Sequence, residues 1–60
     1  MTLAQAEARV AELEARVAEL DAALADPARH ADFARLGKER EAAARVLAEA
    51  EAVYLELYDA

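Results

Sequence analysis

Residues Glu7-Ala8-Arg9-Val10-Ala11-Glu12-Leu13 recur unchanged as Glu14-Ala15-Arg16-Val17-Ala18-Glu19-Leu20. A seven-residue repeat keeps its apolar residues on one stripe of a helix, because two turns take close to seven residues. Extended in both directions, the stripe is Leu3, Ala6, Val10, Leu13, Val17, Leu20 and Leu24. The steps alternate between three and four, and no polar residue interrupts them, which is the seam of a coiled coil. The pattern predicts one helix over about residues 2–25.

Beyond it the chain reads Ala25-Asp26-Pro27-Ala28-Arg29-His30-Ala31-Asp32. Pro27 lacks an N–H and its ring clashes with the preceding turn, so the helix cannot run through it. Proline can open a helical turn with Asp26 as N-cap, and Asp32 offers a second N-cap. The segment 26–32 is therefore read as a tip. A second apolar series follows at Phe33, Leu36, Arg40, Ala43, Leu47, Ala50, Tyr54 and Leu57, with Arg40 as its one polar member. It predicts a helix over about residues 32–58.

A connection this short turns the second helix back along the first. The expected fold is all-α, an antiparallel two-helix coiled-coil hairpin forming one domain over residues 1–60. A register in which facing residue numbers sum to 60 sets Leu24 against Leu36, Leu20 against Arg40, Val17 against Ala43, Leu13 against Leu47, Val10 against Ala50, Ala6 against Tyr54 and Leu3 against Leu57. Three of these pairs set a larger residue against alanine. Arg40 is expected to lay its stem on Leu20 and reach Asp21 with its guanidinium. On the outer faces, Glu12 with Arg16, Arg35 with Glu39, Glu41 with Arg45 and Arg45 with Glu49 have the spacing of helix ion pairs. Gly37 is read as a point of close helix approach or a local bulge.

The chain has 60 residues, too few to enclose an enzyme-like cleft. Its hydrophobic fraction is 58% and its aromatic fraction 5%. About one residue in three is alanine, so the apolar content suits close helix contact rather than a thick core. No cysteine is present, which excludes disulfides and thiolate metal sites. Glu12, Glu14 and Glu19 lie on a solvated flank, where nothing desolvates a carboxylate for acid–base work. His30 is the single histidine, serine is absent, and Gly37 stands outside any phosphate-cradling loop. Neither catalysis, a metal nor a cofactor is expected. No apolar run approaches a membrane span, and Met1-Thr2-Leu3 enters the amphipathic pattern without a basic leader. The expectation is a soluble, cytoplasmic protein.

A net charge of −6 opposes a strong sequence-independent grip on nucleic acid. The charge is uneven, however. Arg29, Arg35, Lys38, Arg40 and Arg45 gather in the tip and the first half of the second helix, while Glu49, Glu51, Glu56 and Asp59 crowd the open end. The ordinary reading is salt bridging along helix surfaces. The functional reading is a tip that touches phosphates of DNA or ribosomal RNA, with Arg29, Arg35 and Lys38 as its contacts.

Leu24-Ala25-Asp26-Pro27, then Asp32, Leu36 and the closing Tyr54-Leu55-Glu56-Leu57, resemble the C-terminal coiled-coil hairpin domain of ABC-F ATPases of the Uup type. The resemblance spans nearly the whole chain. His30 stands where that family usually has tyrosine, and Tyr54 where it usually has tryptophan. The resemblance implies a non-catalytic appendage of a parent that carries two ATP-binding cassettes and acts on ribosomes or nucleic acid, the hairpin being associated with DNA binding. No cassette loop of the Gly-x-x-x-x-Gly-Lys-Ser/Thr kind is in this chain. Two other readings stay open. Leu-x-Asp-Pro followed by Lys38-Glu39 also resembles the N-terminal helical domain of peptide-chain release factors. A self-associating coiled-coil module, joining through Gly37, Ala44, Val46 and Val53 into a four-helix bundle, is the third.

Overall fold

The computed structural model describes residues 1–60. Helix α1 runs Leu3–Leu24, a 3-10 turn covers Pro27–Asp32, and helix α2 runs Phe33–Asp59. Thr2 starts α1 with a reciprocal cap: its hydroxyl accepts from the Gln5 N–H at 3.1 Å, and the Gln5 side chain accepts from the Thr2 N–H at 2.8 Å. Two of the donors that a helix start leaves free are thereby satisfied.

The helix ends where Pro27 requires it. The Ala25 N–H still donates back to Asp21 and Ala22, and the Asp26 N–H donates to Ala23. Asp26 then leaves helical geometry, and its carboxylate accepts from the Ala28 N–H at 3.0 Å. Arg29, at φ −104° and ψ 15°, bends the turn again while its N–H donates to the Asp26 carbonyl at 3.0 Å. Asp32 does not cap α2 as expected: its side chain makes no cap hydrogen bond. Its carboxylate instead lies 3.6 Å from the Arg35 guanidinium, and the preceding 3-10 turn runs directly into the helix.

The two helices lie side by side and antiparallel, giving a rod of 45 × 14 × 13 Å. Five residues are buried: Ala6, Leu13, Leu20, Ala23 and Leu36. Ala6, Leu13 and Leu20 are every second seam position, each seven residues apart, and point most directly at α2. The alternating seam residues Val10, Val17 and Leu24 are half-buried. Near the tip Leu20, Ala23 and Leu36 form a cluster, with Leu24, Phe33 and Ala43 packed against it. Toward the open end the seam loosens, and Leu3 is 37% exposed.

Arg40 behaves as its place in the seam dictates. Its Nε donates to Asp21 Oδ1 at 2.9 Å, one residue beyond the leucine it faces in the expected register. Gly37 corrects the sequence reading. It lies in regular helix, and a Cβ built there would meet nothing within 4 Å. There is neither close approach nor bulge at that point.

Candidate functional site

The tip is built from Pro27–Asp32 and the first turns of α2, with no side chain of the 3-10 turn buried. The three cations singled out from sequence all lie here, but in different electrostatic settings. Arg29 and Lys38 are exposed and form no ion pair. Arg35 is held between two carboxylates: Nη1 stands 3.0 Å from Glu39 Oε1, and Nη2 stands 3.6 Å from Asp32 Oδ1. Its charge is spent largely within the chain, on the last residue of the 3-10 turn three positions before it and on a residue of α2 four positions after it.

Glu39 also reaches across to α1. Its second oxygen lies 3.5 Å from Arg16, which meets Glu19 at 3.5 Å as well. Asp32, Arg35, Glu39, Arg16 and Glu19 thus form one chain of alternating charge that ties the tip to the middle of α1. The sequence reading found the Arg35–Glu39 pair but missed the link across the helices. Of the other expected pairs, Arg16 turns to Glu19 and Glu39 instead of Glu12, and Arg45 pairs with neither Glu41 nor Glu49. The missed link had a signal. In the antiparallel register Arg16 and Glu39 lie on the same flank, within the reach of two long side chains.

Arg40 and Asp21 make the second contact across the helices, on the opposite flank. The hydrogen bond that Arg40 donates to the Asp21 carboxylate, and then the negative charge of that carboxylate, raise the Arg40 pKa above its ordinary value. The guanidinium is therefore charged at every accessible pH.

Two open grooves flank the seam at the far end from the tip. One, of about 200 Å³, is lined by Met1, Ala6, Arg9, Val46, Glu49, Ala50 and Val53. The other, of about 260 Å³, is lined by Glu7, Val10, Glu14 and Tyr54. Neither gathers a nucleophile and a base, and no group of His, Asp and Glu side chains is placed to hold a metal ion. No helix is long and apolar enough to cross a membrane.

The family model described as the ABC transporter C-terminal domain matches residues 1–59. No curated protein and no solved structure matches the chain.

Proposed function

Because the chain belongs to the ABC transporter C-terminal domain family, we propose that it serves as a non-catalytic appendage of an ATP-binding-cassette protein, adding a contact to nucleic acid through the hairpin tip. The parent would be a cytoplasmic ATPase working on DNA or on ribosomal RNA. The observation that carries the tip reading is the freedom of Arg29 and Lys38. They present positive charge to solvent at the tip, where Arg35, Arg40 and Arg16 are engaged with carboxylates. Arg35 adds less, because Asp32 and Glu39 take up most of its charge.

Electrostatics sets the strength. A chain of net charge −6 is repelled from a polyanion at long range, so only a short-range patch turned toward phosphates can hold it. Two contacts give a log–log salt slope of about −1.8 on duplex DNA, and three give about −2.7. Affinity near physiological salt is then on the order of 10⁻⁴ M or weaker. In a larger parent, tethering makes such a weak contact effective by raising its local concentration.

The test is a salt titration of labelled duplex DNA and of an RNA hairpin against the chain, beside the Arg29→Glu/Lys38→Glu double variant. Arg35 is left intact because its removal would also break the network to Glu39. The variant should lose most low-salt binding while keeping its helical circular dichroism. If both proteins bind alike, or neither binds at low salt, the tip is not a nucleic-acid contact.

A further inference from the structure

On α2, Val46 and Val53 are 36% and 40% exposed, and they line the open-end groove with Ala6 and Ala50. Arg9 and Glu49 stand at the same groove. Both are exposed, and neither forms an ion pair within the chain. The contrast with the tip half is direct. There Arg16 meets Glu39 across the helices at 3.5 Å. One heptad toward the open end, the counterpart of Arg16 is Arg9 and the counterpart of Glu39 is Val46. A valine thus replaces the acid that would have satisfied the arginine, leaving an apolar strip with an unused cation and an unused anion beside it.

We propose that this flank is the contact surface for a second copy of the chain, two hairpins joining about a two-fold axis into a four-helix bundle. A two-fold contact sets a patch against itself, so the patch must be self-complementary. This one is. The valines meet near the axis, and Arg9 of each copy faces Glu49 of the other. The groove on the opposite flank lacks that property: Glu7 and Glu14 line it with Val10 and Tyr54 and no cation, and a copy meeting itself at that groove would set carboxylate against carboxylate.

Size is consistent with a dimer of modest strength. A flank 45 Å long and 14 Å wide presents about 600 Å², against about 800 Å² per partner in a standard stable interface. The contact therefore has to run the length of the hairpin, beyond the groove alone. Gly37 and Ala44 take no part. Ala44 lies two residues before Val46 and Gly37 nine before, which places both about half a turn away from the valine strip. The self-association surface read from sequence is thereby narrowed to the valine side. This inference does not depend on the nucleic-acid reading.

Sedimentation equilibrium of the 60-residue chain tests it, with Arg9→Glu, Glu49→Arg and their combination run in parallel. Each single change places two like-charged pairs in the symmetric contact. Each should weaken association by about tenfold, and the combination should restore it. Because all the changed side chains are exposed, circular dichroism should show unaltered helix at low concentration. The Val46→Glu/Val53→Glu variant should remain a monomer throughout. A wild-type chain that stays monomeric up to about 1 mM overturns the proposal. So does association that the charge exchanges leave unchanged, since another face would then make the contact.

Discussion

Gly37 occupies a helix with empty space where a side chain would stand. A helical glycine without a packing or conformational reason carries only its entropic cost. Gly37→Ala should therefore stabilise the chain by about 0.5–1 kcal/mol, read as a higher melting temperature at fixed chain concentration. A lower melting temperature would mean that the site does not tolerate a Cβ after all. Arg40 is the opposite case, a residue whose identity is used. Its reach to Asp21 ties residue 40 to residue 21 and so opposes slippage of one helix along the other. Arg40→Ala should lower the melting temperature, and adding Asp21→Ala should lower it little further, because the two act as one pair. Full additivity would show that they do not interact in solution. The pH dependence has a definite sign. Asp21 raises the folded-state pKa of Arg40 above its unfolded value, so its contribution is complete below the unfolded value and fades only as pH rises through the raised one. From the arginine's side, no stability is lost around neutrality.

At the scale of the element, each helix is specified by its apolar stripe and by how it begins or stops. α1 is opened by the Thr2–Gln5 cap and ended by Pro27. Its stripe is unequal in depth: Ala6, Leu13 and Leu20 are buried, while Val10 and Val17 are half-exposed. With a single partner helix, only one side of each knob is covered, and a second layer would be needed to bury the rest. Leu13 is 8% exposed, and Leu13→Ala should cost about 2–4 kcal/mol. In a molecule this small, that is enough to unfold a large fraction. Loss of helical circular dichroism and a lower melting temperature are the expected readouts, and an unchanged melt would show that Leu13 is not held against α2. Val17→Ala, at a half-exposed position, should cost clearly less.

As a whole molecule, the hairpin is a rod with five buried residues and two unequal ends. The tip end holds the only cluster of buried side chains and most of the ion pairs. The open end holds the grooves and the exposed Leu3, Val46, Val53, Leu55 and Tyr58. Short two-helix folds usually sit near zero net stability on their own core, so the tip half should be the more protected one. Hydrogen exchange should show slower amides around Leu20 and Leu36 than around Leu3 and Leu57. Association on the valine flank would reduce that difference as concentration rises, because any contact made only by the folded form stabilises it by mass action.

The fold was legible in the chain because it depends on local periodicity. Two stripes at heptad spacing, one proline and a short connection leave one economical arrangement, and Arg40 could be paired with Asp21 from register alone. The candidate tip residues were legible as a cluster, since Arg29, Arg35 and Lys38 lie within ten positions of one another. Which of them are free was legible only in part, because it depends on where long, flexible side chains settle between two helices. Spacing gave the Arg35–Glu39 pair, but not Asp32 as a second partner of Arg35, nor the crossing of Arg16 to Glu39 instead of Glu12. Asp32 carried the sequence signature of a cap, but the 3-10 turn before it left no free helix start for it to satisfy. By helical spacing alone Gly37 and Ala44 already stand about half a turn from Val46 and Val53, and the packing of α2 on α1 decides which flank each pair faces. Periodicity along one helix is a property of its own residues, whereas the partner of a charge and the facing of a flank are properties of two helices together.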